Sequence, residues 1–336
     1  MSLDHLSIAI IGAGMAGLSC ADRLARAGAR PVVFEKSRGI GGRMATRRAG
    51  DAGDLSFDHG AQYIRSRAGG FSALLDRLEG EGAVGLWKAK RRDATDPDDR
   101  PLYVGTPAMN RLLKPLVENL DVRLNTQVSS ILAGGGGWLI VDDGENVETF
   151  DRVVVTVPAD QARNLLARQA DILDAIKNVE IWPCWSLMVA LKNPVECSFD
   201  QWRYVSNEIG WLARNSSKPG RGPAECWVMH ARPEWSIENL EREKDDVCRE
   251  MTAIFKRLIE EATGRQLPEI TYASAHRWRY AQTGQALEKP FASSQDGTLF
   301  VGGDWALGAR VECAYESGVA MADAVLASVG QREGVA

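Results

Sequence analysis

Residues 8–11 (Ile-Ala-Ile-Ile) form an unbroken apolar run that ends in Gly12-Ala13-Gly14-Met15-Ala16-Gly17, and apolar positions then recur at helical spacing over 18–27. A short continuous apolar run predicts a strand buried on both faces, and the glycines predict a tight turn into the helix that follows. Val32-Val33-Phe34 repeats the strand pattern and ends on an acid, Glu35. Further on, the pattern predicts a short helix over 71–78. It predicts a second helix over about 110–119, entered from Gly105-Thr106-Pro107-Ala108-Met109-Asn110, and strands over 122–128, 138–142 and 152–158. Gly134-Gly135-Gly136-Gly137 lies between two of these strands with no helix after it, so it reads as a hairpin turn and not as a phosphate cradle. The charged stretch 91–100, with Pro97, reads as a surface loop.

From about residue 165 the character of the chain changes. Six of the ten tryptophans fall between 182 and 235. Residues 185–192 and 225–230 read as strands. Ser236 reads as a helix N-cap with Glu238 and Glu241 near the positive helix end. Ile237, Leu240, Val247, Met251, Ile254, Leu258 and Ala262 keep helical spacing up to Gly264, a C′ residue. Residues 270–278 give a last strand of this region. The chain then returns to the pattern of its start: an apolar strand over 298–302, Gly303 and Asp304, and a helix over 311–329 whose Ala314, Gly318 and Ala322 form a flat stripe for close packing. The expected organisation is therefore discontinuous, an α/β nucleotide-binding domain from 1–66, 101–164 and 296–336 and an α+β substrate domain from 67–100 and 165–295.

Bulk properties narrow the chemistry. At 336 residues the chain has room for two domains. With 40 basic against 45 acidic residues and no polybasic run, nucleic acid and anionic membranes are not expected partners. The cysteines at 20, 184, 197, 226, 248 and 313 show no metal-ligand spacing, the four histidines are scattered, and no metal site is expected. Free thiols fit a reducing cytoplasm. Asp4 stands where a secretory leader would carry basic residues, and no stretch is as apolar as a membrane helix.

The glycine turn carries the first specific chemistry. In a strand–turn–helix setting, Gly12 makes the turn, Gly14 lets the backbone approach a pyrophosphate, and Gly17 lets helix and strand pack closely. The helix end offers free amides to phosphate. Glu35, 18 residues after Gly17, suits a ribose diol. Directly behind it, Lys36-Ser37-Arg38-Gly39-Ile40-Gly41-Gly42-Arg43 resembles the signature of the flavoproteins that include amine oxidases, phytoene desaturases and protoporphyrinogen oxidases. That resemblance implies non-covalent FAD and a two-domain fold of the p-hydroxybenzoate hydroxylase or amine oxidase kind. It implies cofactor contacts from Gly12, Ala13, Gly14, Gly17, Glu35, Lys36, Gly42 and Arg43, from Gly60, Ala61, Gln62 and Val128, and from Gly303, Asp304 and Val311.

Asp58-His59-Gly60-Ala61-Gln62-Tyr63, His230, His276-Arg277-Trp278-Arg279-Tyr280-Ala281-Gln282 and Gly302-Gly303-Asp304, taken with the chain length, resemble the bacterial renalases along essentially the whole sequence. The resemblance implies oxidation of the 1,2-dihydro isomers of NAD(P), with the 1,6 isomers as further candidates, to NAD(P)+. Hydride passes to flavin N5, and O2 is reduced to hydrogen peroxide. Hydride transfer requires no acid or base, so none is assigned as catalytic. The substrate-binding candidates are Trp185, Trp202, Trp278 and Tyr280 as stacking walls, His230 toward a carboxamide or as a core histidine, Arg279 toward a phosphate or in a salt bridge, and Arg310 toward an anionic dinucleotide.

Amine oxidation is the rival enzyme reading. Alignment on Lys192-Asn193-Pro194 puts Ser186 where amine oxidases carry a lysine near N5. Alignment on Glu316-Ser317-Gly318 puts Arg310 where they carry an aromatic cage residue. A non-enzymatic role with structurally bound FAD is the third reading. The sequence leaves open the oligomeric state, the preferred isomer and the choice between NAD and NADP.

Overall fold

A computed structural model describes residues 3, 6–50, 53–67, 69–92 and 98–332. Asp4 and Pro97, on which two of the sequence expectations rest, lie outside the described residues. The chain divides into two compact units: Met1–Gly42, Leu113–Ile181 and Gln282–Ala336 in one, Arg43–Leu112 and Trp182–Ala281 in the other. The crossing points differ from those expected. Residues 43–66 and 101–112 belong to the second unit and 165–181 and 282–295 to the first. The reason is that the hairpin of Thr46–Ala49 and Leu55–Asp58 packs on the second unit's sheet, with Phe57 in one buried cluster with Met188, Ala190 and Val228.

The first unit is built on a six-stranded sheet in the order Phe291–Ser293, Leu299–Gly302, Arg152–Val155, Ile8–Ile11, Val32–Phe34 and Asp121–Arg123. All neighbours are parallel except the first pair. Ile8–Ile11 and Arg152–Val155 are buried at every position, as expected of parallel strands covered on both faces. Helix Met15–Arg26 follows the first strand, and helix Val311–Arg332 crosses it closely. A Cβ on Gly318 would lie 2.2 Å from the Ala16 carbonyl oxygen, so only glycine permits this crossing. Val128–Gly134, Gly137–Asp142 and Val147–Phe150 make a three-stranded antiparallel sheet. Gly135 (φ 62°) and Gly136 (φ 84°) turn its first hairpin, the role read from the four-glycine run.

The second unit is built on a five-stranded sheet in the order Gln201–Arg203, Ile209–Arg214, Glu225–Ala231, Glu180–Leu191 and Ile270–Gln285. Helix Lys244–Thr263 buries Val247, Met251, Phe255, Leu258 and Ile259 against one face, beside Trp185, Leu187, Val189 and Trp227. The opposite face carries the alternate residues Ser186, Met188, Ala190, Val228 and His230.

Four element readings need correction. Residues 109–116 are a 3-10 segment, not an α-helix; Pro115 inside it has no N–H for the α-helical ladder. The expected strand 122–128 is two strands, Asp121–Arg123 and Val128–Gly134, interrupted at Asn125 with φ 53°. The expected helix from Ser236 is two, Pro233–Glu238 and Lys244–Thr263, the second preceded by Glu243 in extended conformation with no side-chain cap bond. Ser236 caps nothing: it is buried, and its Oγ accepts the Trp185 N–H at 3.1 Å. Gly264 does end the long helix in the left-handed conformation, φ 68°. Among the described residues, no helix is long and apolar enough to cross a membrane, and all six cysteines are free thiols.

Candidate functional site

The cradle of the first unit is shaped by what cannot fit there. Gly12 has φ 110°, and its N–H donates to the Phe34 carbonyl at 2.8 Å. A Cβ on Gly17 would lie 1.9 Å from the Gly12 carbonyl oxygen. A Cβ on Gly14, by contrast, would meet nothing within 4 Å, and no side chain caps the helix that Gly14 begins. Open space against uncapped helix amides is the arrangement a pyrophosphate requires, so these residues fit the phosphates of FAD.

Glu35 is buried and does more than face a ribose. Its Oε2 accepts the Ala13 N–H at 2.9 Å and its Oε1 the Ser37 N–H at 2.8 Å, tying the glycine turn to the segment behind it. The Gly41 N–H closes the same corner on the Ala13 carbonyl at 2.9 Å, and Gly42 adopts φ 52° beside Gly14. Thr156, unmarked in the sequence, bridges the carbonyls of Ile11 (2.9 Å) and Gly12 (3.1 Å). Lys36 is exposed, and its Nζ donates to Gln161 Oε1 at 3.4 Å. Val128 begins its strand nearby in sequence, after Thr126 donates to the Glu35 carbonyl at 2.9 Å.

Around the end of strand Leu299–Gly302, Ser317 Oγ accepts the Gly303 N–H at 2.9 Å and donates to the Pro290 carbonyl at 2.6 Å. Asp304 is buried at the start of the short helix Asp304–Leu307. Val311 opens the last helix. Arg310, just before it, is half-exposed with its Nε 4.0 Å from Glu312 Oε2.

The second unit holds a separate cluster on the sheet face away from its helix. His59, His276 and Trp278 meet as three rings, with centroids 4.8 Å (His59–His276), 4.9 Å (His59–Trp278) and 4.4 Å (His276–Trp278) apart. The His59 carbonyl accepts the Trp278 Nε1–H at 2.9 Å and lies 3.1 Å from His230 Nε2. Burial above all pushes these imidazoles down, to about 3 for His59 and about 4 for His230 and His276, so all three are neutral at pH 7. Gly60 is required where it stands: a Cβ there would lie 2.0 Å from the Arg43 carbonyl, which the Ala61 N–H reaches at 2.9 Å. The Arg43 guanidinium itself donates to the Ala281 carbonyl at 3.2 Å.

Beneath this segment Asp58 is fully buried with Lys218 and Arg221. Burial raises its carboxyl, but the two cations outweigh that and hold it at about 2. Lys218 and Arg221 went unremarked in the sequence because the run Ser216-Ser217-Lys218-Pro219-Gly220-Arg221 looks like an exposed turn, with no periodicity to mark burial.

The substrate candidates do not all converge. Trp278 and Tyr280 alternate on one face of their strand with His276, and His230 joins Trp278 through the His59 carbonyl. Trp185 does not join them: it sits in the core under helix Lys244–Thr263, its Nε1–H donating to the Asn239 carbonyl at 3.0 Å. Trp202 lies on the edge strand beneath the Arg92 guanidinium, 3.9 Å from its ring centroid. Arg279 points to the other face of its strand and pairs with both oxygens of Glu241 at 2.6 and 3.0 Å, the salt-bridge role. Ser186 is fully buried and paired across the sheet with His230, and its Oγ has no partner among the described residues.

Comparison with known proteins gives two family matches. Residues 85–326 match the family model described as flavin containing amine oxidoreductase, and residues 10–78 match an NAD(P)-binding Rossmann-like domain. Among solved structures, the fold is similar to a protoporphyrinogen oxidase-like protein from Exiguobacterium sp. 255-15. The TM-score is 0.72 with 14% identity over 96% of this chain and 99% of that one. It is also similar to an oxidoreductase from Methanosarcina mazei, with TM-score 0.68 and 14% identity over 95% of this chain and 100% of that one. A short stretch of 35 residues is 66% identical to the small chain of glutamate synthase [NADPH] from Halomonas elongata, spanning 10% of this chain and only 7% of that protein.

Proposed function

We infer a dihydronicotinamide oxidase for this chain, which belongs to the flavin containing amine oxidoreductase family and has FAD as its cofactor. In this reading the substrate is a 1,2-dihydro isomer of NAD(P), with the 1,6 isomer as the next candidate, as in the renalases. It leaves as NAD(P)+ while O2 becomes hydrogen peroxide. FAD, when bound, supplies the two-electron acceptor. Trp278 and Tyr280 offer aromatic faces to a dihydropyridine ring, and His230 meets its carboxamide.

The observation that carries this reading is the charge under the His59–Trp278 cluster. The imidazoles are neutral, and the carboxylate of Asp58 is sealed by two buried cations, Lys218 and Arg221. A protonated amine placed there gains no counter-ion and meets net positive charge, whereas a neutral ring on an anionic dinucleotide is accommodated.

The test is anaerobic mixing of the FAD-loaded protein with the 1,2-, 1,6- and 1,4-dihydro isomers of NAD(P) and with a panel of primary and secondary amines, following flavin absorbance. The expected outcome is rapid bleaching by a 1,2- or 1,6-dihydro isomer and slow bleaching by ordinary NADH, because misplacing the ring by about 1 Å costs roughly a hundredfold in rate. Rapid bleaching by amines, with none by any dihydronicotinamide, would replace this reading with amine oxidation.

A further inference from the structure

Asp58 has more partners than a carboxylate needs. Its Oδ1 accepts the Thr46 hydroxyl at 2.7 Å and the Met109 N–H at 3.2 Å, while its Oδ2 accepts the Arg221 Nε–H at 3.2 Å and a second bond from Arg221 Nη2. Arg221 alone therefore neutralises it. Yet the side chain of Lys218, fully buried, also places its Nζ 3.2 Å from Oδ2. Burying a second cation beside a guanidinium is unfavourable unless it makes a further bond worth keeping.

That further bond is to Gln62. Lys218 Nζ donates to Gln62 Oε1 at 3.3 Å, with the Trp87 ring 5.4 Å away on another side. The Gln62 amide nitrogen donates to the carbonyls of Asp58 and Gly60, the latter at 3.1 Å. Its oxygen and both its hydrogens are thus spent. His230 Nε2 lies 3.4 Å from the Gln62 nitrogen and 3.1 Å from the His59 carbonyl. Since the amide has nothing left to give the ring, the carbonyl decides the tautomer: Nε2 carries the proton and donates it to His59, and Nδ1 keeps a lone pair with no bond among the described residues.

We propose that Lys218 is a positioning residue. By holding the Gln62 amide it fixes His230 in the Nε2–H form, so that Nδ1 presents an acceptor to an N–H donor of the substrate. The contact with substrate rests on the function proposed above; the tautomer does not.

The test is 15N NMR of the histidine rings in the FAD-loaded protein, with His230 assigned through His230→Gln, on wild type, Lys218→Met, Lys218→Arg and Lys218→Ala, alongside steady-state kinetics with the 1,2-dihydro isomer of NAD. Wild type should show His230 protonated on Nε2. Lys218→Met should populate the Nδ1–H form and raise KM about tenfold or more with a smaller change in kcat, and Lys218→Arg should restore part of both. Where Lys218→Met does not fold, Lys218→Ala carries the test, since it also releases the Gln62 amide and leaves the Arg221–Asp58 pair in place; the same tautomer change is expected. Wild-type His230 protonated on Nδ1, or a folded variant with unchanged tautomer and KM, overturns the proposal. A tautomer change in a protein that no dihydronicotinamide reduces upholds the role of Lys218 and rejects the substrate.

Discussion

Glu35 shows how one side chain carries more than its sequence position announces. An acid after the second strand is legible as a ribose ligand, but its two oxygens already accept the Ala13 and Ser37 amides. Glu35→Ala should therefore loosen the glycine turn as well as remove ribose bonds. FAD affinity should fall about tenfold or more, with a stability loss of about 1–3 kcal/mol, and Glu35→Gln should lie between. Fluorescence titration of the apoprotein with FAD decides this, and equal affinity in wild type and Glu35→Ala excludes the role.

At the same scale the sequence misplaced Trp185 and Trp202, and left Arg279 open between a substrate phosphate and the salt bridge that it makes with Glu241. Strand alternation was readable around each of them, but which face a helix would cover was not. Trp185 shares its face with Leu187 and Val189 under helix Lys244–Thr263, and Arg279 shares its own with Arg277 beside Glu241. His230 and Trp278 came together because both faces happen to turn toward the His59 carbonyl, a long-range contact that no local pattern records.

Among the elements, those read best were the ones whose signal is local and steric. The first strand, the glycine turn and the two long helices of the first unit follow from apolar runs, glycines and small residues at helical spacing. The crossing of Met15–Arg26 with Val311–Arg332 was marked by the small stripe Ala314, Gly318 and Ala322, and Gly318 stands where a side chain would strike the Ala16 backbone. Gly318→Ala would set a methyl 2.2 Å from the Ala16 carbonyl, against backbone that cannot give way. A loss of about 2–4 kcal/mol is expected, together with weaker FAD binding because the uncapped helix end moves with Ala16. Urea denaturation measures the first and FAD titration the second. Wild-type stability in Gly318→Ala would mean that the helices are not packed this closely. Elements whose boundaries depend on packing were read less well. Ser236 matches an N-cap by type, yet its hydroxyl serves the Trp185 amide, and the long helix starts at a later point, after Glu243.

For the molecule as a whole, the buried neutral histidines and the sealed aspartate set its response to acid. His59, His230 and His276 have folded values of about 3, 4 and 4 against about 6.5 in an unfolded chain. Burial is the first cause in each. The charges of Arg47, Lys244 and Lys218 add to it. Because the folded state holds these rings neutral, the unfolded state binds more protons between about pH 6.5 and pH 4. The histidine contribution is thus fully present above pH 6.5 and is lost as the pH falls toward 4. Each tenfold difference in proton affinity between folded and unfolded chain is worth about 1.36 kcal/mol, so the loss over that window is on the order of 3 kcal/mol or more. Asp58 behaves in the opposite chemical sense with the same outcome at lower pH. Its carboxyl is held at about 2 in the fold, so its contribution is present above about pH 4 and disappears below. Stability should therefore decline in two steps, the first between pH 6.5 and 4 and the second between 4 and 2. Urea midpoints taken from pH 8 down to 4 in the FAD-loaded protein resolve the first step. His276→Gln, which removes one of the three rings, should make it shallower. A midpoint that stays flat from pH 7 to 5 would mean that these histidines are charged or exposed in solution. The neutral, cation-backed face on which the proposed substrate choice depends would then not exist.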